Sequence, residues 1–234
     1  FLSRAEDALG QPVEVISGHE EARLIFAGVA FLHPSSRRRL VIDIGGRSTE
    51  VIVGQANTPG VMASFRIGSA SLSQAFFHDG RITAAGFGAA QMAVSAELGH
   101  ALTRFTSPHW DEVMGSSGTA GTISAVLKAN GITDGRLTAK GLRWLIDRCI
   151  EGGRVDRLEL PGLKERRRAV LAGGLAILST LIEHCGIRKL HPAKGALRQG
   201  VIIDLHESQL LGRCGHGSVP RGASNLFAPD LALS

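Results

Sequence analysis

The segment Val41-Ile42-Asp43-Ile44-Gly45-Gly46-Arg47-Ser48-Thr49-Glu50-Val51-Ile52-Val53-Gly54 gathers residue types that can handle a phosphate. An apolar run enters a Gly-Gly turn, a Ser-Thr pair follows, and a second β-branched run leaves. Asp43 stands near the end of the first run and Glu50 opens the second. Backbone N–H groups at such a tip can approach an anion. The flanking carboxylates can hold a metal ion or a water. A plainer reading stays open on spacing alone, because Gly-Gly between two apolar runs is also an ordinary hairpin turn.

A second acidic pair, Glu20 and Glu21, lies in Val15-Ile16-Ser17-Gly18-His19-Glu20-Glu21-Ala22, at the start of a helical pattern. Acids in a first helical turn complement the helix dipole, so capping and catalysis are both compatible with this position. His19 beside them is a base or a solvated loop residue. Two further Gly-rich turns each follow an apolar run and lead into a helix: Gly115-Ser116-Ser117-Gly118-Thr119 and Gly195-Ala196-Leu197-Arg198-Gln199-Gly200. Helix N-termini favour anions. Three such turns in one α/β chain point to a phosphate or nucleotide cleft at the edge of the sheet.

The elements that must position these groups follow from periodicity and breakers. The pattern predicts helix over residues 3–9, a short strand at Val13–Ile16 and a helix over Glu20–Phe31. His33–Arg39 is a polar, basic stretch containing Pro34 and is the expected domain boundary. After the hairpin, a third strand is expected at Ala63–Ile67, then helices over Ser71–His78 and Thr83–Phe105. A strand over Trp110–Met114, a helix over Ala120–Asn130 and a helix capped by Thr138 come next. Glu165–Cys185 reads as a long helix whose Gly173-Gly174 permits close packing or a bend. A strand at Ile187–Leu190 and a helix over Val201–Leu211 close the pattern. Strands that begin as a hairpin and then alternate with helices give α/β with a mixed sheet, not an all-parallel one.

Composition narrows the function. The 234 residues are 44% hydrophobic, enough for a substantial core, and carry a net charge of +5. That charge favours polyanionic partners. No Tyr and only two Trp occur, which argues against a stacking platform for single-stranded nucleic acid. No apolar run approaches the roughly 18 residues that span a bilayer, and no secretory signal is seen, so no membrane partner is expected. Cys149, Cys185 and Cys214 are far apart, which argues against structural zinc and for a reducing, cytoplasmic setting. Arg37-Arg38-Arg39 and Arg166-Arg167-Arg168 read either as solvated surface or as polyanion contacts. Neither the dinucleotide fingerprint nor the P-loop, HExxH or GxSxG occurs. The opening Phe1, inside a helical pattern, suggests a piece of a longer protein.

Taken in order, Val15-Ile16-Ser17-Gly18-His19-Glu20-Glu21-Ala22, then Val41 to Glu50, Gly115 to Thr119, and Gly195 to Gly200 resemble the motifs of the exopolyphosphatase / guanosine pentaphosphate phosphatase (Ppx/GppA) family over about residues 1–205. The resemblance implies an actin-like ATPase (ribonuclease H-like) fold with a mixed sheet flanked by helices. It implies one complete domain (37–211) and the C-terminal part of a preceding one (1–36); the tail (212–234) matches none of the motifs, and its Gly-, Pro-, Ser- and Asn-rich composition predicts flexibility. The resemblance further implies Mg²⁺-dependent hydrolysis of terminal phosphate from polyphosphate or guanosine pentaphosphate, and a homodimer. On it, Glu21 is the catalytic base. Asp43 and Glu50 hold the metal or orient water. Gly45, Gly46, Ser48 and Thr49 form the phosphate turn, within which Arg47 either grips phosphate or obstructs the loop, with Gly68 and Ser69 as further contacts.

Two positions depart from the family pattern: Arg47 stands where a third Gly is usual, and Gln199 where Glu is usual. The family's N-terminal half is absent, as is the C-terminal helical domain of longer members. Two rival readings follow. One is a non-catalytic polyanion- or nucleotide-binding module in which Arg47 has replaced catalysis by binding. The other is a sugar or acetate kinase of the same superfold.

Overall fold

The computed structural model describes residues 1–214. Its centre is a sheet in the order β3-β2-β1-β4-β5. β1 (Arg38–Ile44), β2 (Thr49–Gln55) and β3 (Thr58–Phe65) form an antiparallel meander. β4 (Glu112–Ser116) and β5 (His191–Pro192) run parallel to β1. β1 is central and buried on both faces, which is why it reads as an unbroken apolar run instead of an alternating one.

Side-chain alternation sorts the sheet into two faces. Leu40, Ile42, Ile44, Val51 and Val113 point into the larger core. That core is completed by α3 (Ser69–Phe76), α4 (Ala84–Leu98), α5 (Ser117–Ala129), α6 (Ala139–Gly152) and α7 (Glu165–His184). Val41, Ile52 and Met114 point the other way, onto Ala22, Ile25, Phe26 and Val29 of α2 (Gly18–Leu32). α8 (Leu197–Cys214) crosses α2, and α1 (Leu2–Leu9) precedes it with no buried residue. Residues 18–32 therefore share a core with the sheet that follows them.

Local signals account for three of the helix starts, those of α2, α4 and α6. Ser17, Thr83 and Thr138 accept from the N–H of Glu20, Gly86 and Gly141, respectively. At the other end of α2, Arg39 donates to the carbonyl of His33 at 2.6 Å, and its Nε bonds Glu112 at 2.8 Å. Arg39 is only 3% exposed, so this member of the basic run is not solvated surface. Gly173 and Gly174 of α7 admit close packing: a Cβ on the first would meet the Ser69 carbonyl at 2.4 Å, and on the second the Thr119 methyl at 2.6 Å. α3 and α5 thus both begin against α7.

Several expected boundaries move. Val13–Ile16 is not a strand; no strand among the described residues lies beside it, and Val15 is 69% exposed. β3 begins at Thr58, because Ala56 and Asn57 form a two-residue connection that pairs Gln55 with Thr58. Pro59 is tolerated there since β3 is an edge strand. The helix expected over Thr83–Phe105 breaks at Gly99 into a 3-10 segment, Gly99–Phe105. α5 begins at Ser117, not Ala120, and the last strand is His191–Pro192 in place of Ile187–Leu190, where Leu190 makes an isolated bridge to Leu137. α8 starts at Leu197, before Val201, and runs through Gly212, Arg213 and Cys214. The rest of the expected tail, 215–234, lies outside the described residues. No described helix is long and apolar enough to cross a membrane.

Phe26, fully buried where α2 meets the sheet, tests this packing. Phe26→Ala is expected to lower the free energy of unfolding by about 3–5 kcal/mol in a urea titration, the usual cost of an aromatic cavity.

Candidate functional site

Register places four polar side chains in a line across the sheet. Asp43 on β1 pairs with Glu50 on β2 and with Ser116 on β4, while Glu50 pairs with Ser64 on β3. Alternation puts all four on the α2 face, in line with Val41, Ile52, Met62 and Met114. The acids are 6% and 1% exposed. Each accepts a hydrogen bond from its outer neighbour: Ser64 Oγ donates to Glu50 Oε1 at 2.9 Å, and Ser116 Oγ donates to Asp43 Oδ2.

Two carboxylates side by side in a sheet repel when ionised, and burial disfavours their charged forms. Desolvation is the main reason the Asp43 carboxyl is pushed up to about 6, against hydrogen bonds from Ser116 and Ser117, with the charge of Glu21 adding to the rise. Desolvation likewise pushes Glu50 up to about 7, opposed by Ser64 and Ser48 and reinforced by Glu21 and Asp43.

Glu21 reaches this row because α2 lies across the sheet with its first turn over the line of acids. It is half-buried, and its side chain has no hydrogen-bond partner among the described residues. Glu20 behaves differently. Arg23 holds it at 2.6 Å, and this hydrogen bond keeps the Glu20 carboxyl below the usual range; Arg23 also pairs with Asp204 of α8 at 2.7 Å. The adjacent acids of the motif thus separate into one that ties α2 to α8 and one left free beside Asp43 and Glu50.

The hairpin tip is clamped from behind. The Gly45 carbonyl accepts from the N–H and Oγ of Ser69, at 2.8 and 2.9 Å, and the Gly46 carbonyl accepts from Ala70 and Ser71 N–H at 2.9 and 3.0 Å. Gly68 permits this approach, since a Cβ there would sit 2.3 Å from Arg47 N. Thr49 is fully buried and donates to the Ile67 carbonyl at 2.6 Å. Gly68, Ser69 and Thr49 therefore brace the tip, and the N-terminal amides of α3 are engaged by carbonyls. The N–H groups of Gly46, Arg47 and Ser48 have no acceptor among the described residues, and Gly46 and Arg47 are exposed.

Arg47 carries no strain. Neither it nor Gly45 or Gly46 has positive φ, so the turn does not demand glycine conformations. Its side chain makes no ion pair among the described residues. Gln199 acts locally. Its Oε1 accepts from Ala196 N–H at 3.1 Å and closes the first turn of α8, which an amide does as well as a carboxylate.

Sequence reasoning missed the serines that hold the acids. Ser64 was invisible without the β2–β3 register. Ser116 and Ser117 were seen only as part of a Gly-rich turn. Ser117 has φ 73° and donates to the Ile44 carbonyl at 2.9 Å, and Thr119 donates to the same oxygen at 2.8 Å. These bonds fix the start of α5 to the end of β1. Among the described residues no three His, Cys, Asp or Glu side chains close into a metal cage.

Residues 1–209 match the Ppx/GppA phosphatase family, and the chain belongs to that family. It is 36% identical over 208 residues to a Haemophilus influenzae protein with the provisional name exopolyphosphatase, covering 89% of this chain and 64% of that one. It is also 36% identical over 205 residues to a guanosine-5'-triphosphate,3'-diphosphate pyrophosphatase of Photobacterium profundum, covering 88% of this chain and 41% of the relative. The chain thus spans less than two thirds of these relatives' length. Solved structures share its fold. A Ppx/GppA family member from Aquifex aeolicus superposes with a TM-score of 0.71 at 24% identity, covering 89% of this chain and 69% of that one. An exopolyphosphatase from Cytophaga hutchinsonii gives 0.76 at 22% identity, covering 88% and 69%. The fold is therefore the α/β, actin-like ATPase type expected from the motifs.

The raised acids set the pH dependence of the metal-free fold. A carboxyl with a folded pKa above its unfolded value stabilises the fold below the unfolded pKa, and that contribution is lost as pH rises through the folded one. For Asp43 and Glu50 the loss falls between the ordinary values, 3.8 and 4.5, and about 6 and about 7. In chelator-treated buffer the melting temperature is expected to fall between about pH 4 and about pH 7 and to level off above that. Glu50→Gln removes one titration, so it should flatten that fall and melt above wild type at the alkaline end. A wild-type melting temperature unaffected by pH would contradict the buried, repelling pair.

Proposed function

We propose that this chain forms one wall of the cleft of a hydrolase that releases terminal phosphate from inorganic polyphosphate, guanosine pentaphosphate or both. The observation that carries the reading is the placement of Glu21 over the Asp43–Glu50 row, beside a hairpin tip with three uncommitted amides. The names of the 36%-identical relatives support the substrate class.

In this reading the N–H groups of Gly46, Arg47 and Ser48 receive phosphate oxygens, and the Arg47 guanidinium adds positive charge at the exposed tip. Thr49, Gly68 and Ser69 act by holding the tip in place. Glu21, uncommitted and crowded by two other acids, accepts a proton from the attacking water. Phosphoryl transfer needs positioning and charge neutralisation more than covalent chemistry, which suits a site without a nucleophilic side chain.

Asp43 and Glu50 are suited to a hard divalent cation. They are desolvated acids, both raised further by Glu21, and Glu50 also by Asp43, and a cation would relieve these penalties. Mg²⁺ commonly uses one or two carboxylates plus water and substrate phosphates, so a three-carboxylate cage is not required. When bound, it would neutralise charge developing on the phosphate.

The division into residues 1–36 and 37–211 remains part of this proposal, with α2 as the element shared across it. So do a cytoplasmic setting and a homodimer. The cytoplasmic setting is supported by the sparse, widely separated cysteines, of which Cys149 and Cys185 are buried free thiols. The non-catalytic reading is favoured by Arg47 alone, exposed and without an ion-pair partner; it requires tight phosphate-chain binding without turnover.

Mg²⁺-dependent phosphate release from polyphosphate and from guanosine pentaphosphate tests the assignment. The 234 residues span less than two thirds of the curated relatives' length, so release by this stretch alone is expected to be slow, and Glu21→Gln should reduce it further by about 10²–10⁴-fold. Turnover that survives Glu21→Gln would overturn the role of Glu21.

A further inference from the structure

The end of the sheet opposite the acids carries a different kind of site. β1 and β4 are parallel, so Asp43 and Ser116 share one end while Arg38 and Glu112 share the other. The two ends lie roughly 16 Å apart along β1 at the usual rise per residue. At the Arg38 end a groove of about 860 Å³ opens between the entry to β1, the entry to β4 and the segment leading into β5. Such a volume falls within the usual range of ligand pockets.

The charge in this groove is unbalanced. Its acids, Asp111 and Glu112, are already paired, with Arg38 at 3.3 Å and Arg39 at 2.7 Å. Its cations, Arg37, Arg188 and Lys189, are exposed and have no ion-pair partner among the described residues. His33 and His191 line it too. Arg39, buried between two lining groups, adds its charge nearby. Its Nε bonds Glu112, its Nη2 donates to the His33 carbonyl, and its Nη1 has no partner.

The walls are also held in place. The His33 ring accepts from Lys194 N–H at 2.8 Å, which ties the end of α2 to the segment after β5. Trp110 donates its indole N–H to the Phe105 carbonyl at 2.7 Å, which fixes the ring orientation on the groove wall. A fixed concave surface with clustered, unpaired cations concentrates multivalent anions.

We propose that this groove is a second anion site that takes a condensed phosphate of several linked phosphoryl groups. Closely spaced charges on one small ligand match cations drawn from two chain segments, Arg37 on one side and Arg188-Lys189 on the other. A nucleic acid strand would require a row of stacking rings, and the groove offers one indole. None of these residues belongs to the Asp43–Glu50 site, so this site stands independently of the hydrolytic reading.

The test is calorimetric titration of the 234-residue chain with sodium tripolyphosphate, in a Glu21→Gln background that suppresses turnover. The comparison protein adds Arg37→Ala, Arg188→Ala and Lys189→Ala. These are surface substitutions, and an unchanged melting temperature shows that the fold is kept. The added substitutions should remove one binding event, or weaken it about tenfold or more, and the remaining dependence on salt should be shallower. Trp110 supplies a local readout. In a Trp144→Phe protein its fluorescence should respond to tripolyphosphate, and the response should vanish in the triple variant but persist in Arg47→Ala. ATP serves as the nucleotide arm and is expected to bind no tighter than tripolyphosphate. Unchanged stoichiometry and affinity in the triple variant would overturn the site, as would binding of ATP without binding of tripolyphosphate.

Discussion

The candidate site depends on a clamp between two carbonyls and one helix start. Gly45 and Gly46 turn their oxygens inward, where Ser69, Ala70 and Ser71 meet them with the amides that begin α3. A helix N-terminus ordinarily presents unpaired N–H groups. Here they are satisfied by the hairpin, while the N–H groups of Gly46, Arg47 and Ser48 have no acceptor among the described residues. Under the proposed reading, anion binding falls to the tip of the β1–β2 turn and not to the start of α3. Gly68 makes this possible at the contact, and Gly173 makes it possible from behind by letting α3 settle against α7. A Cβ at Gly68 would collide with the Gly46–Arg47 backbone, and one at Gly173 with the Ser69 carbonyl, so either would disturb the clamp.

The acids themselves are held against electrostatic preference. Asp43 and Glu50 sit directly opposite one another, nearly without solvent, and Glu21 adds a third negative charge. Ser64 and Ser116 lessen that cost without cancelling it, since both acids remain shifted upward. A fold built for stability alone would pair these groups with arginine. Arg23 and Arg39 instead pair with Glu20 and Glu112, away from the row. The surplus negative charge is thus confined to the place where a cation and a phosphate would bring compensation.

Much of this was legible in the chain. The Asp43–Glu50 hairpin, the acids opening α2 and the Thr138 cap each carry a local signature that does not depend on distant residues. Elements defined by partners were less legible. Val13–Ile16 has a strand composition but no neighbouring strand among the described residues, so it stays extended and exposed. β5 forms where Met114 and Gly115 offer free ladder groups, at His191–Pro192, and not where the apolar run Ile187–Leu190 lies. Arg39 looked like surface because its neighbours Arg37 and Arg38 are surface; strand alternation turned it inward to Glu112.

The amino-acid sequence by itself determined the class of fold and the family, and it singled out Glu21, Asp43 and Glu50 as the candidates for the site. Motif spacing and residue chemistry are local, and they survive without coordinates. Only the tertiary structure decided how the donors and acids divide their work. Whether Glu20 or Glu21 faces the row depends on Arg23 meeting Asp204 from α8, 181 residues away. Whether Ser69 contacts a ligand or braces the tip depends on where α3 docks. Whether Arg47 is strained depends on a φ that the turn sets jointly with Ser48. Each of these is a choice among hydrogen-bond partners, and partners far apart in the chain become available only once the sheet and its two helical layers have assembled.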